Sequence, residues 1–217
     1  MKFFAKQYIE KLKEILDHLD LSQVQRAAEV ILDAYWQERL ICIAGNGGSA
    51  SMASHFVNDL NKGILGHKGD RNIRRFKAMA LNDNVSLMTA WANDLGYNHI
   101  FSEQVKNYMN SGDLIILISS SGNSPNLVMA AKEARARGVK VLSMTAFSGG
   151  ELKNISDAHV YIPIDSYQIS EDIHLVLAHI LSSYFYENLD ERNNKQRNSG
   201  KMTAVKLIGR QFLVSNL

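Results

Sequence analysis

Three short apolar runs set the frame for this chain: "LICIAG" at 40–45, "DLIILIS" at 113–119 and "VKVLSMT" at 139–145. Their apolar residues are consecutive rather than alternating, which is the pattern of a strand shielded from water on both faces. The first two runs end in small polar residues and lead into stretches of helical spacing. One is "SASMASHFVNDLNKG", stopping at Gly63, and the other is "SGNSPNLVMAAKEARARG". "KAMAL" and "AHVYIPI" read as further short strands. Strands alternating with helices build a mostly parallel sheet covered on both sides. The expected fold is therefore α/β, a three-layer αβα sandwich over roughly residues 38–190.

Two helices precede it. Phe3, Phe4, Tyr8, Ile9, Leu12, Ile15, Leu16 and Leu19 fall at helical spacing. "DLSQVQRAAEVILDAYWQERL" is a second such stretch, with Asp20 or Ser22 as its cap. Both carry wide apolar faces, to be covered by their own domain or by a partner subunit. "NVSLMTAWAND", "NHIFSEQVKNYM" and the long "SEDIHLVLAHILSSYFYENL" also read as helical, and 64–76 reads as a basic, polar surface loop. Pro125 suits the first turn of its helix and Gly138 the end. Residues 1–190 form a single domain in this reading. The tail 191–217 opens on "ERNNKQRNSGK" and reads as linker or disorder.

Composition narrows the function classes. With 46% apolar and 21% charged residues the chain is globular in type. A net charge of +2 gives no electrostatic footprint for nucleic acid or a membrane surface. Cys42 is the sole cysteine and lies inside an apolar run. It is expected to be buried, and a chain without an internal disulfide fits a reducing cytoplasm. No run reaches about 18 apolar residues, so no membrane span is expected. Charges interrupt the N-terminal "MKFFAKQYIEKLKEILDHL" too often for a signal peptide.

Chemistry gathers in two similar loops. "ICIA-GNGGS-ASMASHF" and "IILI-SSSGNS-PNLVMAA" each end a buried strand, pass through small polar residues and open a helix. Such a helix N-terminus suits an anion, and small residues let it approach. Neither loop matches a dinucleotide fingerprint or a P-loop; Ala50 stands where the former needs glycine. Two tight turns with ordinary caps would look the same. His55 and Asp59 are spaced i, i+4 on the first of these helices, and Glu171 and His179 are spaced i, i+8 on the last helix. If they converge, the four can hold a divalent metal or form a proton-transfer pair. His18, His67, His99, His159 and His174 read as surface or satisfied core residues; His174, one turn from Glu171, is the hardest to dismiss.

"GNGGS" with "HF" in the helix after it, "AND" at 92–94, "SSSGNS" at 119–124 and "EDIHLVLAHIL" at 171–181 resemble the SIS (sugar isomerase) domain, and within it the sedoheptulose 7-phosphate isomerases. The resemblance covers roughly residues 3–189. It implies a homotetramer with active sites at subunit boundaries, and a sugar-phosphate substrate whose carbonyl moves from C2 to C1 through an enediol. It implies that Ser119, Ser120, Ser121 and Ser124 grip the phosphate. Asn46 and Ser49 would contact the sugar, with Asn93 and Asp94 near it, and Glu171 would serve both substrate and metal. Asp59 and His179 would be the acid/base pair, and zinc would be held by His55, Asp59, Glu171 and His179. Two residues depart from the family pattern: Asp59 stands in place of a glutamate and Glu171 in place of a glutamine. A misplacement of about 1 Å can cost about 100-fold in rate, so the shorter Asp59 bears on the substrate. Arg71, Arg74 and Arg75 are candidates for the family's arginine near the sugar. The competing expectations are an isomerase of another sugar phosphate, a sugar-phosphate-sensing regulator with a DNA-binding helical domain, and a non-catalytic SIS protein that binds a partner, of the DnaA initiator-associating type. Such a protein lacks the paired histidines present here. The first two helices show no basic recognition face for DNA.

Overall fold

Along Leu40–Gly45 (β1), Ile41 and Ile43 turn to one face of the sheet and Cys42 and Ala44 to the other, all fully buried. Leu114–Ser119 (β3) repeats the pattern, with Leu114, Ile116 and Ile118 on the first face and Ile115 and Leu117 on the second. These consecutive apolar runs thus supply two separate cores, one on each side of a single sheet. The computed structural model describes residues 1–66, 68, 69 and 71–189. His67 and the tail 191–217 lie outside the described residues.

The sheet is parallel throughout. Its order is Lys77–Ala80 (β2), β1, β3, Lys140–Thr145 (β4) and Ala158–Tyr161 (β5). Leu21–Trp36 (α2), Gly48–Asn61 (α3) and Tyr167–Asn188 (α8) cover the first core. Ser102–Tyr108 (α5), Pro125–Ala136 (α6) and Gly150–Ile155 (α7) cover the second, with Met88, Trp91 and Ala92 of Val85–Leu95 (α4) packed at its edge. The expected three-layer αβα sandwich is the fold observed.

Local signals account for many of the boundaries. Asp20 caps α2, accepting from Ser22 N at 2.9 Å. Pro125 opens α6 and Gly138, at φ +74°, follows its end. The two N-terminal helices part company. α2 buries Val24, Ala27, Ala28, Val30, Ile31, Ala34 and Tyr35 against its own domain. In Lys2–Asp17 (α1) only Ile15 is fully enclosed, and Phe3 and Phe4 are 75% and 63% exposed.

Three expectations need correction. The segment 64–76 is no mere surface loop: Ile64, Leu65 and Phe76 are buried in the first core. A 3-10 turn at Gly63–Leu65 tucks the first two under α3 and α8. The stretch "NHIFSEQVKNYM" is no continuous helix. Ile100 and Phe101 dive into the second core, leaving a 3-10 turn at Tyr97–His99 and α5 from Ser102. The sequence reading also passed over α7, whose six residues are too few to display a period. No described helix is long and apolar enough to cross a membrane.

Candidate active site

The strand order places a topological switch between β1 and β3, because the chain leaves β1 for β2 on one side and returns to β3 on the other. The loops after these two strands therefore lie side by side at the carboxyl edge of the sheet, where open α/β folds bind ligands. Asparagines stitch them together. Asn46 Nδ2 donates to Asn126 Oδ1 and Asn126 Nδ2 donates back to Asn46 Oδ1, both at 2.9 Å. Tyr97 Oη donates to Asn46 Oδ1 at 3.1 Å. Asn82 brackets Gly45, accepting from its N–H at 3.2 Å and donating to its carbonyl at 2.7 Å. The sequence reading missed Asn82, Tyr97 and Asn126; the one available signal was Asn126, an amide on the first turn of a helix that opens from a serine loop.

The serine loop is a turn of largely available hydroxyls. Ser119 Oγ accepts from Gly122 N at 3.1 Å and lies 3.3 Å from Ser124 Oγ. Ser121 Oγ accepts from Asn123 N at 3.2 Å. Ser124 sits at the cap position of α6 yet caps no backbone N–H. Ser120 points away. Its hydroxyl meets Ser170 Oγ at 2.7 Å, and Ser170 itself donates to Tyr167 O at 2.9 Å, so Ser120 is the donor of that pair. A cavity of about 110 Å³ opens here, lined by Asn46, Ser49, Ser119, Ser121, Ser124 and Glu171 among others.

At the glycine loop, the first turn of α3 already faces an anion. A Cβ added to Gly48 would run into the carboxylate of Glu171, which reaches across from α8. A carboxylate beside a helix N-terminus is favourably placed against the partial positive charge there.

Two turns further along α3, the i, i+4 spacing does what was expected of it. His55 and Asp59 meet His179 of α8. The two Nε2 atoms lie 2.9 Å apart, and Asp59 Oδ2 is 3.5 Å from that of His55 and 3.7 Å from that of His179. Ser182 Oγ lies 3.5 Å from the same carboxylate oxygen. Two imidazole nitrogens so close must share a proton or a cation, and these three side chains together offer a compact two-nitrogen, one-oxygen donor set. Neighbouring ligands around a tetrahedral zinc stand roughly 3.3 Å apart given metal–ligand distances of about 2.0–2.1 Å, so the cluster fits such an ion. Glu171, the fourth expected ligand, is outside this group; its carboxylate lies against Gly48 instead.

Two cavities flank the cluster. One of about 270 Å³ runs between α3 and α8 past Gly48, Ser49, Ser51, His55, Glu171 and His174. It adjoins the serine-loop cavity, with which it shares Ser49 and Glu171. The other, about 290 Å³, is lined by Asp59, His179, Ser182 and Tyr186. Asn93 and Asp94 line neither. They are exposed on the last turn of α4, where Asn93 Nδ2 donates to Asp94 Oδ1 at 2.8 Å.

The remaining histidines and basic residues sort plainly. His18 meets Glu14 O at 2.7 Å, and His159 meets Thr145 Oγ1 at 3.1 Å, as satisfied residues should. Burial pushes the Cys42 thiol up to about 12, an inert core group. Arg71 donates to Ile64 O at 2.8 Å and Leu189 O at 2.6 Å, and Arg74 to Trp36 O at 2.7 Å, so both tie down chain segments. Arg75 is exposed. His174 is different: it is 1% exposed and neither ring nitrogen has a hydrogen-bond partner among the described residues. Burial pulls its pKa from 6.5 to about 4.

The chain is similar to known proteins in sequence and in fold. The SIS domain family matches residues 7–146. A phosphoheptose isomerase of Helicobacter pylori is 34% identical over 185 residues, spanning 85% of this chain and 93% of the relative. One of Leptospira biflexa is 32% identical over 78% of this chain and 85% of its own length. Among solved structures, the phosphoheptose isomerase of Francisella tularensis superposes with a TM-score of 0.77 at 26% identity, covering 86% of this chain and 96% of the other. A fold with two small-residue loops across a switch point, a histidine–aspartate cluster beside them and relatives of this kind lead to one conclusion: the chain belongs to the SIS domain family and, within it, to the phosphoheptose isomerases.

Proposed function

We propose that this enzyme interconverts sedoheptulose 7-phosphate and a D-glycero-D-manno-heptose 7-phosphate-type aldose. The observation that carries the reading is the His55–Asp59–His179 cluster, set in the wall of a cavity that leads back to an open turn of serines. The serine turn supplies hydroxyl donors to a phosphate, and the cluster lies where the far end of a sugar chain would extend.

The chemistry needs two proton movements. One group takes a proton from C1 of the ketose, giving the enediol, and returns it to C2. The other carries the hydroxyl proton from O1 to O2. Asp59, the less exposed of the three at 17%, suits the carbon-bound proton. His179 suits the hydroxyl proton, since an imidazole can donate and accept near neutral pH. His55 holds His179 in place through their 2.9 Å contact. His55, Asp59 and His179 are the residues that would hold zinc, with Glu171 the fourth donor the family pattern names. A bound zinc would act as a Lewis acid on the substrate oxygens.

The exposed Phe3 and Phe4 of α1 support a homo-oligomer, a tetramer in this reading, and the buried lone thiol supports a cytoplasmic setting. No nucleic-acid or membrane partner enters it. The test is isomerisation of sedoheptulose 7-phosphate by the purified chain with added zinc, with a chelator, and with His179→Ala. The expected result is metal-dependent formation of the aldose, with His179→Ala lowering kcat about 10²–10⁴-fold while the fold persists. No conversion under any condition, or full activity in the variant, would overturn the reading.

A further inference from the structure

We propose that His174 is a specificity-determining residue whose imidazole hydrogen-bonds a hydroxyl of the substrate's carbon chain, between the phosphate and the reacting carbons. This rests on the sugar-phosphate reading above.

The argument begins with an anomaly of packing. His174 sits on the inner face of α8 beside Ile173, Leu177 and Ala178, all buried. A leucine would fill such a place without leaving polar atoms orphaned. Instead both ring nitrogens are enclosed with no donor or acceptor among the described residues. An unpaired buried polar group is costly, and it is retained where something outside the fold completes it.

The cavity beside the ring shows what that something is. Its lining sets the hydroxyls and carboxylates of Ser49, Ser51, Glu171 and Asp172, which suit a polyhydroxylated chain, beside the apolar Met52 and Leu175. It adjoins the serine-loop cavity across Ser49 and Glu171, and it reaches His55 of the cluster. A sugar phosphate seated with its phosphate on the serines and its carbonyl end at the cluster must run its middle carbons along this wall. Burial keeps the ring neutral, since its pKa is pulled to about 4. A neutral imidazole offers one donor and one acceptor, which is the complement of an alcohol hydroxyl; a phosphate would use only the donor and a cation only the acceptor.

Steady-state kinetics of the full chain on sedoheptulose 7-phosphate test this, with His174→Leu and His174→Gln, and with inorganic phosphate as a competing ligand. His174→Leu is expected to melt no lower than the parent, because it removes two unpaired buried nitrogens. Its KM should rise about tenfold, the weight of one net hydrogen bond. The inhibition constant of inorganic phosphate should stay put, because phosphate sits on the serines. His174→Gln, which keeps a donor and an acceptor, should recover most of the lost affinity. An unchanged KM in His174→Leu overturns the proposal and leaves the isomerase reading standing. A parallel rise in KM and in the phosphate constant also overturns it, since the residue would then act through the fold. A parent protein that isomerises no sugar phosphate overturns the isomerase reading and this proposal together.

Discussion

The glycine loop after β1 and the serine loop after β3 share a local grammar and differ in what the rest of the chain brings to them. Both follow a buried strand, both open a helix, and both stand at the same edge of the sheet. α8 treats them differently. It lays the Glu171 carboxylate directly against the first turn of α3, while at the other loop Tyr167 and Glu171 line the cavity wall and Ser170 meets the Ser120 hydroxyl. One helix N-terminus thus has a resident carboxylate pressed against it, and the other has the Ser119 and Ser124 hydroxyls beside it. Two loops that look equally fit for phosphate in the sequence are made unequal by a third element.

The glycines give the sharpest way to break this comparison. Gly122, at φ +65°, would push a Cβ into the Gly149 carbonyl, a backbone group that cannot step aside. Gly122→Ala should cost about 4 kcal/mol in urea unfolding, left-handed strain and overpacking combined. Gly48 is helical and meets only the Glu171 side chain. Gly48→Ala should cost about 2 kcal/mol, most of it recovered when Glu171→Ala is added. No recovery would mean that Glu171 is not what enforces glycine there.

Acid should also tell the two sides apart. The wall of the glycine-loop cavity includes a buried neutral imidazole, whereas the serine-loop cavity has no imidazole in its lining. The unfolded chain protonates His174 near pH 6.5, but the folded chain resists until about 4. The unfolded state therefore binds the extra proton across that window. The His174 contribution is complete above pH 6.5 and falls by roughly 3 kcal/mol as pH drops to 4. Unfolding free energies measured across this range should show that slope in the parent and a shallower one in His174→Leu, where His159, also lowered by burial, still contributes.

The smallest effect concerns phosphate itself. Ser124→Ala should raise the Kd of inorganic phosphate about tenfold with no change in melting temperature, because its hydroxyl caps no backbone group. Glu171→Gln should lower the same Kd about threefold, because the two share a cavity and like charges repel. Calorimetric titration reads both. Equal responses would erase the distinction between the loops.

Much of the architecture was legible beforehand, and for a simple reason. Consecutive apolar residues in "LICIAG" and "DLIILIS" cannot be satisfied by a sheet with one wet face, so two covering layers follow. The spacing of His55 and Asp59 similarly fixes a shared helix face, whatever surrounds it. The buried Ile64 and Leu65 were hidden among the charges of 64–76, where hydropathy averages conceal two inward side chains. Asn46 and Asn126 are 80 residues apart, and nothing local to either one announces their pairing.

The sequence by itself determined the layers, the strand ends where chemistry can sit and the residue types available there, because these depend on near neighbours and on burial. Only the tertiary structure decided which groups meet. It set His179 against His55, drew Glu171 away from them to Gly48, and left His174 without a partner among the described residues. Those outcomes depend on how α8 crosses α3 above the sheet, a relation between segments more than 100 residues apart. Only packing of the whole chain sets that crossing.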